Sequence, residues 1–179
     1  MRARLILASL MFGLATPLQA DDFARPAMVA PLPQTLLGND CMQNSLEDAE
    51  VVICMADDLM SKPTVGVTLA PVSRPMSFGD LKRHTRDTFH DSQIRKVVRE
   101  KRIKLKHAPD AVALEGVYST NMGLRRVWVA YHDGVLIRAL VSAFSKEADG
   151  DYRDEIMTVV FGPERFAVAA SDEKVSNDE

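Results

Sequence analysis

The chain has 179 residues, and 22 Lys and Arg against 25 Asp and Glu leave a formal net charge of −3. That length suffices for one domain with its own core, and no segment beyond the N-terminus approaches the length of a transmembrane helix. A slightly acidic balance, joined to the export signal described next, excludes DNA and RNA from the expected partners.

The chain opens MRARLILASLMFGLATPLQA, with Arg2 and Arg4 before an apolar stretch from Leu5 to Leu14 and a small residue, Ala20, at the end. This is the layout of a signal peptide spanning 1–20, cleaved before Asp21 and directing the protein to the periplasm. Ten residues at about 1.5 Å each cannot cross about 30 Å of hydrocarbon. No Cys follows the cleavage point, so no lipid anchor is expected there. Without Arg2 and Arg4, 20 basic residues face 25 acidic ones, a net charge of −5.

Residues 21–37 contain Pro26, Pro31 and Pro33 and read as an extended, irregular arm. The domain itself is expected over 38–168 and an acidic disordered tail over 169–179. Cys41 and Cys54 are the two cysteines of the chain. In an oxidising compartment an isolated pair is most simply a disulfide, here closing a short loop worth about 3 kcal/mol in the chain-entropy model. Met42 and Met55 follow the cysteines and raise a soft-metal alternative such as Cu(I), which the lack of a nearby His cluster disfavours. No metal or other cofactor is expected.

Strands are expected at 50–55 and 64–72, followed by a helix in SFGDLKRHTRDTFH with Ser77 as N-cap and Phe78, Leu81, Thr85 and Phe89 near one face. The next stretch, RKVVREKRIKLKH (95–107), carries seven Lys or Arg and one Glu. Parity changes between Val98 and Ile103, which predicts a bulge or turn over 99–102. Arg102, Lys104 and Lys106 then point away from Ile103 and Leu105. They form either a solvated face that discourages edge pairing or a contact for an acidic partner. Charge is segregated more widely, with net −7 over 21–60 and net +7 over 74–107.

AVALEGVYS (111–119) alternates as a strand, and TNMG turns it into LRRVWVAYHDGVLIRALVSAF (124–144). Asp133-Gly134 is a preferred two-residue turn, pairing Tyr131 with Leu136, Val129 with Arg138 and Trp128 with Ala139. One hairpin face carries Trp128, Ala130, Ile137, Ala139 and Val141. The other carries Val127, Val129, Tyr131, Leu136 and Leu140, interrupted by Arg125 and Arg138. If uncovered, this second face would be a partner groove, with Arg125, Arg138 and Tyr131 as its contacts. DYRDEIMTVVF reads as a closing helix, its stripe made by Tyr152, Ile156, Val159 and Val160, stopped by Gly162-Pro163.

The fold class expected is α+β, a single domain with an antiparallel meander and flanking helices. The helix SFGDLKRHTRDTF, the meander AVALEGVYS with RRVWVAYHDGVLIRALVSAF, and the helix YRDEIMTVVFG together resemble the Mog1/PsbP-like α/β/α sandwich, including its DcrB-type periplasmic proteins. The resemblance covers roughly residues 50–162 and implies a non-catalytic accessory or binding protein. It supplies no functional residues, and the cysteine pair and acidic tail lie outside it.

No catalytic motif is present. His84, Asp87 and Asp91 in HTRDTFHD would share a helix face but balance Arg83 and Arg86, and DGDYRDE (149–155) lacks the spacing of a calcium loop. His132-Asp133 lies at a hairpin tip, and there is no GxSxG, P-loop or GxGxxG. The expected function is an exported accessory or binding protein that contacts a protein partner in envelope maintenance or secretion. Alternatives are an immunity or inhibitor protein against a periplasmic toxin, and a hydrolase whose site is assembled from distant residues.

Overall fold

A computed structural model describes residues 33–46, 49–89 and 94–166. The expected signal peptide, the arm up to residue 32, the tail 169–179, and His90 and Asp91 lie outside the described residues.

Eight strands form one antiparallel sheet. They are β1 (Thr35–Leu36), β2 (Asn39–Leu46), β3 (Ala49–Cys54), β4 (Thr64–Pro71), β5 (Ile94–Ile103), β6 (Val112–Thr120), β7 (Gly123–His132) and β8 (Val135–Ala143). Helix α1 (Phe78–Asp87) lies between β4 and β5, and α2 (Arg153–Val159) follows β8. The spatial order is β1-β2-β3-β4-β8-β7-β6-β5. The chain therefore walks in from one edge to β4, crosses through α1 to the far edge, and returns by a meander that sets β8 beside β4. The class is α+β, with the sheet dominating.

The hairpin β7–β8 forms around Asp133 and Gly134, whose φ angles of 45° and 78° give the two left-handed positions of a type I′ turn. Its register pairs Tyr131 with Leu136, Val129 with Arg138 and Trp128 with Ala139, as the turn chemistry predicts. The two faces then enter two separate cores. Trp128, Ala130, Ile137, Ala139 and Val141 pack with Ile156, Val160 and Phe161, under α2. Val127, Val129 and Leu136 pack with Leu81, Phe89, Leu114 and Tyr118, under α1. Each face of the sheet thus has its own helix.

Helix α1 starts at Ser77, whose side chain accepts from the Asp80 N–H while the Asp80 carboxylate accepts from the Ser77 N–H. Cys41 faces Cys54 across β2 and β3, with Cα atoms 4.0 Å apart, and the two form a disulfide. Their sulfurs are thereby occupied, which leaves no thiolate for a soft metal.

Two features depart from the sequence reading. Strand β5 is continuous through 99–102, and its irregularities fall earlier, between Ile94 and Lys96 and between Val97 and Arg99. This early correction places Glu100 opposite Gly116 and Lys101 opposite Glu115, so alternate charges of one basic strand go to opposite faces. Strand β2 was not singled out because NDCMQNSL is polar and mostly exposed, without inward apolar alternation. Edge position and pairing with β3 explain it.

Candidate functional site

The basic strand β5 borders the sheet and meets two carboxylates, one on each face. On the α1 face, Glu100 has a side chain only 4% exposed. It accepts from Arg86 Nε at 2.8 Å and Nη2 at 2.6 Å, and from Tyr118 Oη at 2.8 Å, with Lys82 Nζ at 3.2 Å. Burial alone pushes this carboxyl up, but the donors from Arg86, Tyr118 and Lys82 outweigh it and bring it down to about 2. The Tyr118 hydroxyl is driven upward, first by its burial and then by the same carboxylate.

On the α2 face, Glu115 is 2% exposed and is shared by three cations. Arg99 Nη2 lies 2.6 Å from Oε1, while Lys101 Nζ and Arg153 Nε each lie 3.2 Å from Oε2. Register explains the convergence: Arg99 and Lys101 alternate on β5, Lys101 stands opposite Glu115, and Glu115 stands opposite Trp128 on β7. Beside them Arg126 grips Asp149 through Nε and Nη2, at 2.9 and 2.8 Å from Oδ1. These groups border a cavity of about 540 Å³ that includes Arg99, Lys101, Glu115, Arg126, Trp128 and Arg153.

Arg153 also borders a second opening, a cleft of about 390 Å³ where the end of β5 meets α2 and the 3-10 turn at Pro163–Arg165. Its cationic wall is Lys104, Lys106 and Arg153 with the His107 imidazole, and Leu105, Met157 and Phe161 supply apolar surface. No Asp or Glu lines it. Among the described residues, neither Lys104 nor Lys106 enters an ion pair or hydrogen bond.

The six candidate contacts read from the sequence are dispersed. Lys104 and Lys106 share the cleft. Arg102 is exposed but sits opposite Leu114, on the α1 face. Tyr131 is half-buried against the core beneath α1. Arg138 is partly buried, donates to Thr68 Oγ1 at 3.1 Å, and has its guanidinium pKa lowered by burial. Arg125 is 5% exposed and lies over the Phe144 ring at 4.8 Å. Exposure alternates from Arg102 to Lys106 as expected, with Ile103 and Leu105 buried between the cations.

Glu115 and Arg126 were not singled out from the sequence. A signal existed for the first: a lone Glu at an inward position between Ala113 and Val117 requires buried counter-charge. Within DGDYRDE, Asp149 accepts from Arg126, and Asp151 accepts from the Arg153 N–H at the start of α2. His84 is half-buried, and burial followed by the charge of Arg138 lowers its pKa, which favours the neutral imidazole. Among the described residues, no group of three His, Cys, Asp or Glu is placed to hold a metal ion. None of the described helices is long and apolar enough to cross a membrane.

The chain matches no protein-family model and no curated protein sequence.

Proposed function

We propose that this protein is an exported accessory protein of the cell envelope that acts through contact with an acidic protein partner rather than by catalysis. The observation that carries the reading is the cleft beside β5, where Lys104, Lys106 and Arg153 stand over apolar surface with no carboxylate in the wall. An acidic segment would set its carboxylates on the lysines and its apolar side chains on Leu105, Met157 and Phe161. Charge of this kind steers encounter and weakens with salt. The Cys41–Cys54 disulfide is compatible with export, and the N-terminal layout supports it. The Mog1/PsbP-like resemblance belongs to the same proposal, supported by a helix on each face of an antiparallel meander.

The test is capture from an envelope extract by the mature protein at low and high ionic strength, compared with Lys104→Glu/Lys106→Glu. The parent is expected to retain an acidic protein at low salt and release it at high salt, and the double variant to retain none. Arg102→Glu, outside the cleft wall, should capture as the parent does. Equal capture by parent and double variant would overturn the reading.

A further inference from the structure

The cavity around Glu115 is separate from the partner cleft, although Arg153 borders both. Its polar groups do not balance. Four cations line it, Arg99, Lys101, Arg126 and Arg153, against the lining carboxylates Glu115 and Asp151 and the Asp149 that pairs with Arg126. Donors are in still greater surplus. Glu115 engages one nitrogen each of Arg99, Lys101 and Arg153, whereas a guanidinium carries five N–H donors and an ammonium three. These three side chains remain 43–49% exposed, so the rest of their donors are accessible at the cavity.

Trp128 forms part of the cavity wall and is 3% exposed. Surplus donors and one surplus positive charge both call for an anionic acceptor. A cation is disfavoured by the four positive groups. A volume of about 540 Å³ lies within the range of small-molecule sites, roughly 300–1,000 Å³.

We propose that this cavity binds a small soluble acid through one carboxylate or phosphate oxyanion, held by Arg99, Lys101 and Arg153 beside Trp128 in the wall. Glu115 keeps the cations converged while the site is empty, and the ligand shares their remaining N–H groups rather than displacing the carboxylate.

The chain contains a single Trp, so its indole N–H gives one resonance that reports on this site alone. The mature ¹⁵N-labelled protein is titrated with inorganic phosphate and, separately, with citrate, against sodium chloride at matched ionic strength. Expected is a saturable shift of the Trp128 indole resonance with phosphate or citrate and none with chloride. Arg99→Gln and Lys101→Gln, each checked for folding by the dispersion of the same spectrum, should weaken binding tenfold or more. Lys96→Gln, exposed on the same strand, and Lys104→Glu/Lys106→Glu, in the other cleft, should bind as the parent does. The proposal is overturned if neither acid moves the resonance saturably, or if chloride reproduces the shift. It is equally overturned if the folded Arg99 and Lys101 variants bind unchanged or the partner-cleft variant loses binding.

Discussion

Arg86 on α1 holds Glu100 on β5 with two nitrogens, Nε at 2.8 Å from Oε1 and Nη2 at 2.6 Å from Oε2. The pair ties the crossover helix to the edge strand, and it accounts for much of what the basic stretch 95–107 does. The lone Glu in that stretch is the anchor to α1, while Arg99 and Lys101 on either side of it turn to the buried Glu115 on the opposite face.

Acid sensitivity follows from this pair. Glu100 is lowered from an ordinary 4.5 to about 2, so the folded state binds its proton later than the unfolded state. Its contribution to stability is complete above pH 4.5 and is lost as pH falls toward 2. Arg86→Ala removes the strongest donor while Lys82 and Tyr118 remain, which should cost about 2 kcal/mol at neutral pH. The midpoint of acid unfolding, followed by near-UV circular dichroism, should move to higher pH in this variant. An unchanged midpoint would show that the pair is solvated.

The disulfide gives a second expectation. The native protein should show no reactive thiol under denaturing, unreduced conditions. Cys41→Ser should lower stability by about 3 kcal/mol, the loop-closure contribution for a span of this length. Denaturant melts of parent and variant measure it, and a stoichiometric thiol titre in the unreduced parent would count against the bond.

Trp128 and Arg138 test the two faces of the hairpin. Trp128 is 3% exposed beneath α2, and Trp128→Ala should cost about 3–5 kcal/mol, as other large core truncations do. Arg138 makes one side-chain hydrogen bond, to Thr68, so Arg138→Ala should cost about 1 kcal/mol. Comparable losses in urea melts would mean that the two faces are equally tightly packed.

Legibility in the sequence tracks how local the determining physics is. The β7–β8 register was readable because Asp133-Gly134 dictates it and period-two alternation confirms it. Helix α1 was readable from Ser77, three residues before Asp80. The charge cluster was not, because Arg99, Glu115, Arg126 and Arg153 come from four elements and meet only through sheet register. Arg125 shows the converse. Its position among Val127 and Val129 was legible, but its burial against the Phe144 ring depends on chain beyond the hairpin strand.

Gly116 leaves the space that the Tyr118 ring occupies. A Cβ at this position would lie 2.6 Å from Tyr118 Cε2 and 2.7 Å from its Oη, closer than atoms can approach. The Tyr118 ring is free of solvent, packs tilted against Phe89 with centroids 5.0 Å apart, and is anchored through its hydroxyl to Glu100, so it has little room to yield. Gly116→Ala therefore has to push the ring off Gly116 and break the Tyr118–Glu100 hydrogen bond. Overpacking of this kind costs about 1–3 kcal/mol. Loss of a donor should also raise the Glu100 pKa from about 2, bringing acid unfolding to higher pH, as in Arg86→Ala. Combining Gly116→Ala with Tyr118→Leu, which removes both the clash and the hydroxyl, should add less than the sum of the separate losses. Strict additivity in that double-mutant cycle would show that Gly116 is conserving something other than space for Tyr118.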